Sequence, residues 1–304
     1  LLLPATISSV LLLAACGGGE GSDTATADNT SNDINTNNTS TRETISGKAI
    51  DGYLMSALAC LDVNANKMCD AGEPNAITDT SGSFNINAGD LTAEQLKTIS
   101  VVVKVIAGQT IDSDNPQQIL EKAYTLTAPP GYTNITPITT MVDAERVENG
   151  GDLAAAEEQI KQTLATSGSL DVDYVAGKEE AETQAEHEEL HAIAQVLTRV
   201  IADNLEDGLQ AVENDATVNF DDVMEIVIKK INEELDEVRE DVVGAIDELA
   251  DGETFDVADA DRLAGDPELK HSVEIDTDNL TDQIAINDAL AAGTEGGTTG
   301  SDNL

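Results

Sequence analysis

Apolar residues along this chain of 304 amino acids recur with two different periods, and the change falls near Pro137. From Thr44 to about Pro137, short apolar stretches are separated by turn residues, the pattern of a small β unit. It predicts strands over 44–50, 54–61, 83–87, 100–106 and 124–127. Ser81-Gly82 supplies a turn before Phe84 and Ile86, which alternate onto one face. One helix interrupts the strands, over 91–99, opened by Asp90 or by a Thr92/Gln95 capping box.

Beyond Pro137 the apolar positions fall three and four residues apart, as on helices. Thr136-Pro137 is a cap and first-turn pair, and Gly150-Gly151 ends the helix it opens. Asp152 caps a second helix running to about Ala165. A long helix is predicted over 179–212, striped by Leu190, Ile193, Leu197, Val200, Ile201, Leu205 and Leu209. Another is predicted over 220–249 behind Asn219, striped by Val223, Val227, Ile231, Leu235, Val238, Val242 and Ile246. The two pair antiparallel across 214–218. Shorter helices are expected over 257–263 and 280–290. The fold class read from the pattern is multidomain β plus α: a small β-sandwich followed by an acidic, bundle-like helical domain.

Composition then restricts the role. Aromatic residues make up only 2 % of the chain, so the core must be built from Leu, Ile, Val and Ala. The 59 acidic against 15 basic side chains give a net charge of -44. That excludes a nucleic-acid partner, because no basic surface offsets phosphate repulsion. The charge is uneven: residues 1–137 carry -9 and residues 138–304 carry -35, so the acids must lie on the outer faces of the helices.

Residues 1–15 hold no charge and are too short to span a bilayer, so they read as a signal-peptide core, truncated at its start. Leu13-Ala14-Ala15-Cys16 resembles a bacterial lipoprotein lipobox. The resemblance implies cleavage before Cys16, acylation of its thiol and amino group, and anchorage in a lipid bilayer. The expected location is that of an exported lipoprotein of the outer membrane, periplasmic or surface-exposed. Residues 16–42, rich in Gly, Ser, Thr, Asn and Asp, are expected to be a flexible tether, and 293–304 a disordered tail. The two domains then cover 43–137 and 138–292.

The richest chemical pattern is Asp62 to Glu73. Asp62, Asn64, Asn66, Asp70 and Glu73 stand at positions 1, 3, 5, 9 and 12 of a twelve-residue loop, with the Met68 carbonyl at position 7. Hard oxygens at this spacing suit Ca²⁺ as the cofactor rather than Zn²⁺, which prefers nitrogen or sulfur. Position 6, where an EF-hand loop uses Gly for its tight turn, is Lys67, and Pro74 follows the loop directly. With Cys16 acylated, Cys60 and Cys69 are the remaining cysteines, and an exported chain permits a disulfide between them.

Gly47 to Leu54, Ala57 to Glu73 and Thr78 to Phe84 resemble the calcium-containing, immunoglobulin-like repeat domains of bacterial surface proteins and the transthyretin-like domains that accompany them. Thr125 to Pro129 and Thr136 to Thr140 look like the end of such a unit and its junction with a helical extension. The resemblance covers about 95 residues. It implies a β-sandwich with Asp62, Asn64, Asn66, Asp70 and Glu73 in an interstrand metal loop. Such domains serve as stalks, spacers and adhesin modules.

One enzyme motif competes. His187-Glu188-Glu189-Leu190-His191 satisfies His-Glu-x-x-His on a helix, the ligand pair and general base of a zinc peptidase. Both histidines flank the apolar stripe, Glu189 puts a charge inside the motif, and His271, Glu206, Glu213 and Glu225 offer a third ligand only without distinctive context. The expected role is therefore non-enzymatic, with no catalytic residues: a surface-anchored structural, adhesive or complex-forming lipoprotein with a protein or glycan partner. A ligand-binding lipoprotein using a helical-domain cleft is the alternative, and a zinc metallopeptidase the minor one.

Overall fold

Strand β1 (Thr44–Ala49) takes β5 (Ser83–Asn87) antiparallel on one side and β9 (Asn134–Ile135) parallel on the other, forming a three-stranded sheet. Phe84 and Ile86 alternate inward, with Asn85 and Asn87 exposed, as the sequence predicts. A four-stranded sheet runs β4-β3-β6-β8: β4 (Asn75–Ile77), β3 (Leu58–Leu61), β6 (Val101–Val105) and β8 (Tyr124–Ala128). The short strands β2 (Leu54–Met55) and β7 (Ile111–Asp112) pair with each other, Leu54 opposite Asp112. The single strand expected over 54–61 is broken between β2 and β3, because Ser56 takes a left-handed conformation at φ 62. The computed structural model describes residues 43–213, 215, 218–250 and 252–295. The readings of 1–15, Cys16, the tether through 42 and the tail beyond 295 lie outside the described residues.

Helix α1 (Ala93–Leu96) has the Thr92/Gln95 capping box. Helix α2 (Pro137–Glu148) starts at its expected cap, where Oγ1 of the fully buried Thr136 accepts from Thr139 N at 2.9 Å. Its first turn covers the free edge of β8. Thr127 N donates to Thr140 Oγ1 at 2.9 Å, and Thr139 Oγ1 donates to Thr127 O at 3.0 Å. Helical hydroxyls thereby satisfy edge groups that would otherwise be exposed or orphaned. The helix stops at Asn149, followed by Gly150 and Gly151 at φ 64 and 95. Helix α3 (Leu153–Thr163) follows, capped by Asp152, and then α4 (Tyr174–Gly177), capped by Asp173.

Helix α5 (Gln184–Ala211) is buried on most of its circumference, as a helix at the centre of a fold must be. It packs against α4, α6 (Phe220–Glu233), α7 (Leu235–Asp247) and α8 (Val257–Ala264). The helix expected over 220–249 is interrupted at Glu234, whose φ of -114 and ψ of 16 end α6 and begin α7. The break redirects the apolar stripe: α6 lies against α2, α5 and α10 (Leu280–Glu295), while α7 lies against α5, α8 and α9 (Pro267–Val273). One buried cluster runs from Ala49, Phe84 and Val103 through Leu126 and Met141 to Leu197, Val227 and Leu269. The described residues form a single compact unit of mixed β plus α structure around it. No helix among them is long and apolar enough to cross a membrane.

Candidate functional site

The polar centre of the molecule lies where the β1–β2 turn, β7 and α5 meet. Asp51 and Gly52 make the turn, and Gly52 is required by space: a Cβ there would lie 2.1 Å from Asp112 Oδ1 and 2.7 Å from Ser113 Oγ. The close approach lets Tyr53 N donate to Ser113 Oγ at 2.7 Å. Asp112 Oδ1 accepts from Asp114 N at 3.0 Å, curling the chain after β7 so that both carboxylates face α5.

From α5 come His191, Gln195, Thr198, Arg199 and Ala202. His191 Nε2 lies 2.8 Å from Asp114 Oδ2, and Gln195 Nε2 donates to the same oxygen. Nδ1 of that ring is 2.6 Å from Lys178 Nζ, and its face stacks on Tyr174 at 5.3 Å between centroids. Tyr174 is itself fixed by its hydroxyl, which donates to Ile50 O at 2.9 Å. Arg199 pairs through Nε with Asp261 of α8 and donates from a terminal nitrogen to Gln195 O at 2.6 Å.

A cavity of about 320 Å³ opens beside these groups. Asp51, Asp112, Tyr124, Thr198 and Arg199 line it, together with Leu120, Ala202 and Val257. Two of these side chains are buried and incompletely satisfied: Asp51 Oδ1 and Tyr124 Oη have no hydrogen-bond partner, at 2 % and 3 % residue exposure.

Burial sets the protonation of the carboxylates. Desolvation, reinforced by Asp112, pushes Asp51 well above the usual carboxylate range. Asp112 is pushed up to about 7 by desolvation and then by the charge of Asp114. Asp114 is buried too, yet it is held below the ordinary value by the His191 ring, Gln195 and Lys178. Burial, then Asp51 and Asp112, raise the Tyr124 hydroxyl. Burial works against the Arg199 charge, but Asp51 and Asp261 beside it outweigh that and hold its proton more firmly.

Nothing in their spacing marks Asp51, Asp112 or Asp114: Asp51 falls within a stretch that carries only a resemblance, and Asp112 and Asp114 belong to no motif. The legible signal was on α5: His191, Gln195 and Thr198 are polar residues at core spacing within an apolar helix, which buried polar partners must answer.

The His-Glu-x-x-His residues are separated by their surroundings. His191 does not cover the edge of the stripe but is buried at 6 % exposure, both its nitrogens facing Asp114 and Lys178. His187 is partly exposed, packed so closely on Gly177 that a Cβ there would meet its Nδ1 at 1.6 Å. Glu188 accepts from Gln184 at 2.9 Å, and Glu189 pairs with Arg239 at 3.0 Å. Glu206 and Glu225 face Lys122 and Lys67, at 2.6 and 3.9 Å, while His271 sits in α9.

The Asp62–Glu73 segment is a closed turn. Asp62 accepts from Asn66 N and Lys67 N at 3.0 and 2.9 Å. Asp70 Oδ2 accepts from the Asn64 and Asn66 amides at 2.9 and 2.8 Å. Glu73 accepts from Val63 N and Asp70 N at 2.8 and 2.9 Å, and Met68 N donates to Asn66 Oδ1 at 3.0 Å. Burial raises the Asp62 carboxyl despite its two backbone donors. Lys67 stands at φ 55, the left-handed conformation that favours Gly, and its ammonium leaves the loop toward Glu225 on α6. A Cys60–Cys69 disulfide closes the base, with 5.6 Å between Cα atoms. Among the described residues, no group of three or more His, Cys, Asp or Glu side chains is arranged to hold a metal ion. No protein-family model, no curated protein and no solved structure matches this chain.

Proposed function

We propose that this chain is a lipid-anchored binding protein of the bacterial cell envelope, tethered through Cys16, that takes a small molecule into the cavity beside Asp51, Tyr124 and α5. The observation carrying the reading is that two side chains lining the cavity, Asp51 and Tyr124, each hold a buried polar atom, Oδ1 and Oη, without a hydrogen-bond partner. Each such group costs about 1–3 kcal/mol when left unsatisfied. A fold that served only as a spacer would be more stable with an apolar side chain at position 51. The disulfide supports an oxidising, exported setting, and Leu13 to Cys16 supports the anchor. In this reading the two larger sheets form a sandwich, supported by the shared burial of Ala49, Phe84 and Ile135 with Leu61, Val103 and Leu126, and the helices bundle around α5.

Thermal-shift measurements on the full chain against a chemically mixed small-molecule panel test the cavity. Ligands should raise Tm, and Val257→Trp, which narrows the cavity, should abolish the rise. A shift unaffected by Val257→Trp, or no ligand in the panel, overturns the reading. Palmitate labelling lost in Cys16→Ser supports the anchor, and labelling that survives removes it.

A second reading, a calcium-stabilised stalk or adhesin with a protein or glycan partner, is favoured by the left-handed Lys67 at the sixth loop position. Here Asp62, Asn64, Asn66, Asp70, Glu73 and the Met68 carbonyl would hold Ca²⁺, with Glu73 giving up its backbone donors. Calorimetry with Ca²⁺ in 0.15 M salt, which screens counterion uptake, should then show one site lost in Asp62→Ala and Glu73→Ala. Unchanged uptake in both variants would exclude it.

A further inference from the structure

The carboxylates that line the cavity differ in burial. Asp51 and Asp112 are 2 % and 8 % exposed. The Asp203 and Asp261 side chains are 42 % and 64 % exposed. Leu120, Ala202 and Val257 supply apolar wall. The two lining cations are already engaged: Arg199 with Asp261 and the Gln195 carbonyl, Lys122 with Asp203 and Glu206. An anion would meet two buried carboxylates and no uncommitted cation among these lining residues. A ligand without a donor would leave Asp51 Oδ1 unsatisfied.

We propose that the cavity binds a small organic ammonium, an amine on a short aliphatic stem, whose three N–H donors meet Asp51 Oδ1, Asp112 and the Tyr124 hydroxyl oxygen while the stem lies along Leu120, Ala202 and Val257. This rests on the reading of the cavity as a binding site and names its ligand class. An ammonium has donors and no acceptor, the complement of a carboxylate pair. The volume also points to an organic cation. About 320 Å³ is the share of roughly ten liquid waters, far more than a bare metal ion fills, and part of the wall is apolar.

The protons of the empty pair give the binding a signature. Asp112 is pushed up to about 7 by burial and then by the charge of Asp114, and Asp51 is raised well above the usual carboxylate range by burial and then by Asp112. The other charges facing them, Asp114 from the turn after β7 and Arg199 from α5, are fixed by His191 and Asp261 and change little on binding. An ammonium arriving at the pair must therefore displace a proton, so binding strengthens as pH rises toward and past 7.

The test is calorimetric titration of the full chain, carrying Cys16→Ser, with n-pentylamine in 0.15 M NaCl at pH 6 and pH 8, in two buffers of different ionisation enthalpy. The expected result is one saturable site, about tenfold tighter at pH 8, with proton release at the lower pH. Asp51→Asn should weaken it at least tenfold, the scale of losing a charged hydrogen bond, and Val257→Trp should abolish it. If Asp51→Asn fails to fold by circular dichroism, Val257→Trp and the proton count decide the outcome. Pentanol binding as tightly as pentylamine, with sensitivity to Val257→Trp, would overturn the ammonium assignment and leave the cavity as a binding site. Amine uptake unchanged in both variants would be counterion condensation on an acidic protein and would overturn it as well. No binding by amine, pentanol or the mixed panel would remove both readings.

Discussion

His191 Nε2 lies 2.8 Å from Asp114 Oδ2, joining the central helix to the turn after β7 across 77 residues of sequence. That contact, with the Tyr174 stack and Lys178 on the opposite nitrogen, positions one wall of the cavity. Removing one partner of a buried pair leaves the other uncompensated. His191→Ala should therefore destabilise the chain by about 3–5 kcal/mol in urea unfolding. Glu188→Gln, in the same sequence motif but partly exposed, should stay within about 0.5 kcal/mol. Equal effects would show that the motif acts as a unit after all.

Asp112→Asn should stabilise the protein in a pH-dependent way. The folded carboxyl titrates near 7, whereas an unfolded Asp titrates near its ordinary 3.8. Between these values the folded chain holds a proton that the unfolded chain has lost, so stability falls as pH rises through the window. Asn carries no such penalty. At pH 8 the variant should be more stable by a few kcal/mol, at about 1.4 kcal/mol per unit of raised pKa, and the gap should close toward pH 4. Denaturant midpoints at the two pH values measure it, and a gap independent of pH would contradict the burial account.

Gly52→Ala should be costly although Gly52 is not in a left-handed conformation. Its Cβ would meet Asp112 Oδ1, Ser113 Oγ and Asp114 Cγ, all within 2.8 Å, and Asp112 is 8 % exposed and cannot swing out to solvent. Overpacking of this kind costs about 1–3 kcal/mol. The melting temperature should drop accordingly, and under the proposed function an amine should bind more weakly because the carboxylates shift.

Lys67→Gly should stabilise the Asp62–Glu73 loop. A left-handed residue with a Cβ costs about 1–2 kcal/mol, offset in part by the extra freedom of Gly in the unfolded chain. The net gain should be about 0.5–1 kcal/mol, read as a small rise in Tm without added metal. If the loop also takes Ca²⁺, calorimetry should find tighter binding in this variant.

Reduction of Cys60–Cys69 should cost roughly 2–3 kcal/mol in the chain-entropy model for a loop of this length. Tm measured with and without reductant checks this. A loss much smaller than that would mean that the hydrogen bonds of the loop already restrict the unfolded ends.

The local elements were legible in the sequence because local chemistry fixes them. The Thr92/Gln95 box, the Thr136-Pro137 start, the Gly150-Gly151 stop and the Phe84/Ile86 alternation are all seen in the structure, each set by a few neighbouring residues. The Cys60–Cys69 pairing was legible as well, because only two cysteines remained once Cys16 was assigned elsewhere. The short strands β4, β7 and β9 were not, since two or three residues carry no period and are strands only through their partners. The break at Glu234 is likewise invisible to a stripe that continues across it, because the neighbours on either side decide it. Tertiary structure alone made the cavity: Asp51, Asp112 and Arg199 are scattered along the chain, and nothing in their spacing forecasts that they meet out of water. Sequence determines where a chain turns and which face it buries. What a buried carboxylate faces depends on contacts across tens of residues, and those follow from the packing of sheet against helix.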